Sequence, residues 1–238
     1  MSETELKHDS SNMDVPVLIR QDTQPALPTY HRRFGNPAPL GVFSFGAPVF
    51  MLSMFMVGTD GVTTTNVIVG MALICGGFGQ FCAGMWEMAC GNTFGATLFG
   101  LFSTFWGSYG LIFIPGTGIL AAYEATPETA AQLHNAIGIY LITWFILGVL
   151  LTLGALRTSV AMLSLAIMIC STILVLAVSE FTQKVSVTKA AGAMGIVTAL
   201  LTFYVGAASL YTEDNTIFTL PTGPFARKGE HGHHGHQA

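Results

Sequence analysis

The sequence predicts an all-α membrane protein that crosses the bilayer six times. Three observations lead there. The 238-residue chain is 51% hydrophobic but only 9% charged, whereas soluble domains carry about 25% charged residues. Six apolar segments, near 39–58, 66–89, 92–114, 133–154, 159–180 and 190–211, each supply about the 20 residues a helix needs to span the hydrocarbon core. The connections are short, the longest running from Pro115 to Gln132. The domain reading is a disordered polar tail over 1–33, a six-helix transmembrane domain over 34–212, and a C-terminal tail over 213–238.

Segment one is entered through Asn36-Pro37-Ala38-Pro39-Leu40-Gly41. Asn36 suits the N-cap and Pro37 the first helical position. Pro48, mid-segment, predicts a kink and a freed Ser44 carbonyl. Segment two, with Gly76-Gly77-Phe78-Gly79-Gln80 inside it, carries Glu87 and ends at Gly91-Asn92-Thr93. Gln80 and Glu87 are seven residues apart, so a helix places them on one face, about 10 Å apart along its axis. Glu87 is the one carboxylate placed inside an apolar segment, where a charge costs roughly 2.5–3.5 kcal/mol on insertion scales. Desolvation would favour its neutral form and let it exchange protons. A Glu capping or cross-linking helices is the plainer use.

Segment three starts at Asn92 and Thr93, on the same side as Asn36. Two helix N-termini there offer free N–H groups and positive dipole ends to an anion; capping alone is the simpler role for both asparagines. Thr93, Thr97, Gly100, Thr104, Gly107 and Ser108 form a small-residue stripe on segment three, opposite Phe94, Leu98, Phe102, Phe105 and Tyr109. Helix packing explains such a stripe better than a conduit. Segment six repeats it with Gly192, Gly195, Ala199, Thr202, Gly206 and Ser209, facing a neighbouring helix or subunit. Segments four and five are uniformly apolar, with Tyr140 and Trp144 as anchors.

Basic residues set the orientation. With the N-terminus cytoplasmic, Lys7, Arg20, Arg32, Arg33, Arg157, Arg227 and Lys228 lie inside, against Lys184 and Lys189 outside. Both termini are therefore expected in the cytoplasm.

Little chemistry beyond transport is supported. Ser108 and His134 have no orienting third group, so no enzyme is expected. Cys75, Cys82, Cys90 and Cys170 match no zinc site and read as small core residues. The tail His231-Gly232-His233-His234-Gly235-His236 reads as solvated. No cofactor, metal or nucleic-acid partner is called for. A water channel is the structural rival, but only one Asn-Pro-Ala triplet exists, ahead of the first span.

The motif at 36–41, together with Gln80, Glu87 and Gly91-Asn92-Thr93-Phe94-Gly95, resembles the acetate uptake transporters. This is the succinate–acetate permease family, whose fungal branch is also linked to ammonium export. The resemblance extends over about residues 34–225, and Phe218-Thr219-Leu220-Pro221 is similar to the fungal ending. It implies a homo-hexamer in the plasma membrane with one pathway per protomer. It implies movement of acetate or a similar short monocarboxylate, with succinate a further candidate, linked to protons as a symporter or passed by a channel. It also implies a hydrophobic constriction from spans one, three and five. Phe45 takes the Phe position, Phe102 stands where the family has Tyr, and Ile169 falls at the Leu position. Gln80 then lies toward that constriction as a donor to a carboxylate, with Asn36, Glu87, Asn92 and Thr93 nearer the inner mouth.

Overall fold

The computed structural model describes residues 34–62 and 64–225. The expected tail over 1–33, the basic residues outside 34–225 and the histidine-rich end lie outside the described residues. Six long helices form within them: α1 Ala38–Val57, α2 Ile68–Ala89, α3 Thr93–Ile112, α4 Leu133–Gly154, α5 Val160–Thr182 and α6 Val185–Leu210. Five of the long helices are apolar and long enough to cross a membrane; α3 is not among them, because glycines, serines and threonines dilute its Phe and Leu content.

The helices close into a ring. α1 packs on both α6 and α2, α2 on α3, α4 on α5, and α5 on α6, while α3 and α4 meet at fewer points. One end of the bundle carries the starts of α1, α3 and α5 and the end of α6; it is called the terminal end below, and the opposite end the distal end. Glycines allow the closest approaches. A Cβ on Gly195 of α6 would run into Ser53 Oγ of α1, and one on Gly84 of α2 would stand 3.1 Å from the Gly100 nitrogen of α3. The α3–α4 seam is instead bridged by long aromatic side chains. Phe105 lies 5.3 Å from Trp144 and 6.0 Å from Tyr140, centroid to centroid. The Tyr140 hydroxyl donates to the Phe105 carbonyl at 2.9 Å and meets Ser108 Oγ at 2.8 Å.

The two small-residue stripes part company. That of α6 is buried against α1, with Gly192, Gly195, Ala199, Thr202 and Gly206 all inside. That of α3 lies on the outer surface of the bundle, where Thr97 and Thr104 are exposed. Their hydroxyls donate back to their own helix, at the Thr93 and Leu101 carbonyls. Within the chain, then, the stripe divides: Thr97 and Thr104 face outward, while Gly100 and Gly107 lie against α2 and Ser108 meets Tyr140.

Two features have no counterpart in the sequence reading. Over Met71–Gly79, α2 winds as a π-helix, a wide turn often found at functional sites. Here Gly76 and Gly79 leave no room for side chains: a Cβ on Gly76 would run into the Trp106 ring, and one on Gly79 would stand 2.7 Å from Ser44 Oγ. The long distal connection also contains short helices, Ile119–Glu124 and Pro127–Ala130. A reciprocal cap between Thr126 and Thr129 starts the second. Hydrogen bonds from its own backbone N–H and from Thr126 hold the Glu128 carboxyl below its ordinary pKa. Elsewhere α1 continues through Pro48, whose ring is fully buried.

Beyond α6 the chain turns back along the start of α5. The Val160 N–H donates to the Gly223 carbonyl at 2.9 Å and the Ala161 N–H to the Thr222 carbonyl at 3.1 Å. These bonds occupy two N–H groups that the first turn of a helix otherwise leaves unpaired. Residues expected to form a cytoplasmic tail thus lie along the bundle as far as residue 225.

The tight Gly76–Trp106 contact yields a prediction. Gly76→Ala should lower the detergent-solubilised protein's stability by about 1–3 kcal/mol, the usual cost of overpacking, read as a fall in thermal midpoint; an unchanged midpoint would mean the two helices can part freely.

Candidate functional site: a file of cavities through the bundle

A one-turn link between α2 and α3 builds the first part of the site. α2 ends at Ala89, Gly91 adopts a left-handed φ of 79°, and the Asn92 N–H returns to the Glu87 carbonyl at 2.9 Å. Asn92 then caps α3, its Oδ1 accepting from the Gly95 N–H at 3.1 Å. Its other end, Nδ2, donates to Glu87 Oε2 at 2.6 Å. Glu87 is only 3% exposed. Its carboxyl lies over Gly95 so closely that a Cβ there would come within 2.9 Å. The carboxylate thus sits at the positive end of α3, where a negative charge is favoured.

Around this pair opens a mouth of about 420 Å³ at the terminal end. Ala38 of α1, Asn92 and Gly95 of α3, and Thr158, Ser159 and Met162 beside and within α5 line it, and Thr222 and Pro224 complete the wall. Three helix N-termini therefore converge on it, one more than the sequence reading supplied. Ser159 caps the third, its Oγ accepting from the Met162 N–H at 3.2 Å. A serine just ahead of an apolar run is a start signal that the sequence already carried.

Behind the mouth lies a second cavity of about 20 Å³, lined by Val42, Phe45, Leu98, Phe99, Phe102, Met162, Leu165, Ala166, Ile169 and Thr202. That is little more than the space one water needs, roughly 10–15 Å³. Leu98, Phe99 and Met162 border both it and the mouth. A third cavity of about 40 Å³ follows toward the distal end, and Phe45 and Ile169 border both inner cavities. The Phe45 and Phe102 rings stand 4.8 Å apart, centroid to centroid. No Asp, Glu, Lys, Arg or His lines either inner cavity.

The expected site residues fall into three groups. Phe45, Phe102 and Ile169 meet in the middle cavity. Glu87 and Asn92 meet at the mouth. Asn36, Gln80 and Thr93 join neither group. Asn36 accepts from the Ala38 N–H at 3.0 Å and donates to the Ser209 carbonyl at 3.1 Å, tying the start of α1 to the end of α6. Thr93 is exposed on the outer side of α3. Gln80 shares the buried face with Glu87 but has no exposed surface, and neither polar atom of its amide has a protein partner. Leaving such an atom unpaired costs about 1–3 kcal/mol. Ser108 is engaged with Tyr140, and His134 Nδ1 lies 2.8 Å from Glu180 Oε2 at the distal end. Both are structural contacts that the sequence reading did not anticipate.

The fold and the site define a multi-pass helical membrane protein with a buried file of apolar cavities. The profile of the GPR1/FUN34/yaaH family matches residues 20–227; the chain belongs to that family. Among curated relatives, it is 38% identical over 194 residues to Ammonia transport outward protein 2 of Saccharomyces cerevisiae, covering 82% of this chain and 67% of that one. It is 33% identical over 201 residues to Acetate permease A of Emericella nidulans, covering 82% and 67%. The chain spans about two thirds of the length of some curated relatives, 64–67%, and 74–90% of others. The fold is shared with the solved structure of the bacterial acetate channel SatP, at a TM-score of 0.70 and 24% identity, covering 80% of this chain and all of that one.

The double role of Asn92 is testable. Asn92→Ala should cost about 1–2 kcal/mol as a lost N-cap. In a double-mutant cycle with Glu87→Gln, the pair should show coupling above about 0.5 kcal/mol. Strictly additive effects on thermal stability would mean that the two side chains act independently.

Proposed function

We propose that this protein moves acetate and similar short monocarboxylates across the plasma membrane, through one pathway in each protomer. The observation that carries this is the file of cavities, free of charged side chains past the mouth and entered where three helix N-termini converge. An anion reaching that mouth meets positive dipole ends, and an apolar constriction follows. Phe45, Phe102 and Ile169 form the constriction, and such a dry passage gates by dewetting. A proton accompanies the acid, and Glu87, next to Asn92, is the charged side chain at the mouth. Gln80 is a reserve donor beside the path. Asn36 and Thr93 support the mouth from outside it. The acetate permease and acetate channel named among the similar proteins support this reading.

The topology belongs to the proposal. α3, at 20 residues, is about 30 Å long and reaches across the hydrocarbon core, making six spans. Both ends of the chain lie in the cytoplasm, on the side of Arg157. The outward-facing Thr97 and Thr104 meet a second copy, in keeping with a homo-hexamer. Succinate, a larger dicarboxylate, passes less readily than acetate. Ammonium export is the second reading, favoured by the Glu87 carboxylate at the mouth and by the yeast relative's name.

Purified protein in liposomes, loaded against a controlled pH gradient, separates these readings. Labelled acetate should enter in a protein-dependent, saturable manner, faster at acid pH. Glu87→Gln should lower the rate about tenfold, corresponding to the loss of one hydrogen bond to a charged group. Ammonium flux without acetate flux would favour the export reading. Phe45→Ala, which widens the narrowest point, should raise the rate for propionate relative to acetate; an unchanged ratio would remove Phe45 from the path.

A further inference from the structure

The chain beyond α6 is fastened at two places of different kind. The first is a knot at 212–218. Asn215 Nδ2 donates to the Leu210 carbonyl at 2.9 Å, and its Oδ1 accepts from the Thr212 N–H at 2.8 Å. The Thr216 N–H returns to the Thr212 carbonyl, Thr216 Oγ1 donates to the Phe218 carbonyl, and the Tyr211 and Phe218 rings meet edge to face at 5.5 Å. The second is a latch at 221–224. There the Gly223 and Thr222 carbonyls accept from the Val160 and Ala161 N–H groups, the Tyr204 hydroxyl donates to the Pro221 carbonyl, and Ser159 and Pro224 form an antiparallel bridge.

The latch holds by main-chain bonds rather than by apolar burial. Pro221, Gly223, Pro224 and Phe225 are exposed. Such a segment opens for a small fraction of the free energy that unfolds a bundle, and the knot keeps it tethered when it does. Its position matters, because Thr222 and Pro224 are wall of the mouth that Glu87 and Asn92 also line. The first three N–H groups of α5 are all taken, two by latch carbonyls and that of Met162 by Ser159 Oγ. Two carbonyl oxygens thus sit on the positive end of a helix that the mouth would otherwise present to an anion.

We propose that residues 219–225 are an autoinhibitory strap that unlatches from α5 to admit cargo. Latched, the strap narrows the mouth with Thr222 and Pro224 and cancels part of the positive end of α5 with its own carbonyl oxygens. Unlatched, it removes one wall and both oxygens together, while the knot stays tied. No helix has to move, so the entrance is controlled apart from the Phe45–Phe102 constriction. The strap rests on the acetate reading above only for the identity of the cargo whose entry it limits.

Both sides of the latch can be loosened in the full chain. Val160 is the first residue of α5, and Ser159 before it is already extended, with φ -153° and ψ 163°; proline is tolerated at such a place. Val160→Pro therefore removes the N–H that holds Gly223 and spares the helix. Gly223→Ala weakens the same bond from the strap, because alanine disfavours the left-handed φ of 63° found there. In liposomes, uptake of labelled acetate at subsaturating concentration should rise about threefold in each variant, the scale of a helix-end charge effect and a gain that misfolding cannot produce. Ser159→Cys with Pro224→Cys, at a bridge within disulfide reach, should pin the strap, so that uptake by the oxidised protein is about threefold below uptake after reduction. A cargo-free measurement stands beside these. With Cys90→Ser as background, a charged thiol reagent should label Met162→Cys at the mouth about threefold faster when Val160→Pro is added. Labelling unchanged by Val160→Pro, uptake that rises in neither loosened variant, or uptake indifferent to the disulfide would each overturn the strap. Faster labelling in a protein whose wild type takes up no acetate would overturn the acetate reading and leave the strap standing.

Discussion

The hydrogen bond from Asn92 Nδ2 to Glu87 Oε2 fixes the lower half of this molecule. It joins the last turn of α2 to the first turn of α3 and brings a carboxyl group into a nearly sealed position. The carboxyl leans on Gly95, and only a residue without a side chain fits there. That closeness holds the two helices in register, so that Gly84 of α2 slots against Gly100 of α3 further up. The bilayer explains why one such contact matters. Helices in lipid have no hydrophobic drive to associate, and a buried polar bond together with close small-residue packing takes its place.

From the mouth inward, polarity falls away in steps. The mouth has a carboxylate, an asparagine and three helix N-termini. The middle cavity has Thr202 as its one polar side chain, and the distal cavity again has a few hydroxyl and indole groups. The file is therefore driest around Phe45, Phe102 and Ile169, where the space is also smallest. Size and polarity select in the same direction there. Phe102 brings no hydroxyl to that point, so under the proposed transport reading small and weakly hydrated cargo is favoured.

Helix placement was legible in the sequence because hydropathy and capping speak locally. The six segments fall within a few residues of the six helices, α6 departing most by starting at Val185. The shared face of Gln80 and Glu87 was legible too, since the stretch from Gln80 onward is regular α-helix. The π-helix was not: no local pattern announces it, and the Trp106 side chain that lies against Gly76 comes from another helix. The partners of each stripe were equally hidden. Thr97 and Thr202 have the same local pattern, and only the ring order turns one outward and the other in. Asn36 offered a cap that the structure uses, along with a tie to Ser209 that no spacing reveals.

The pairing of α1 with α6 bears on how the protein is made. Gly46 is shaped for Thr202 and Phe203, and Gly192 and Gly195 for Met56 and Ser53. Of the six described helices, the first in chain order therefore has its closest partner in the last. Until α6 arrives, α1 waits in the membrane with its glycine-notched face open to lipid or to α2 alone. Ring closure is a late and long-range event, and a change in the α6 glycines should be felt in biogenesis before it is felt in transport.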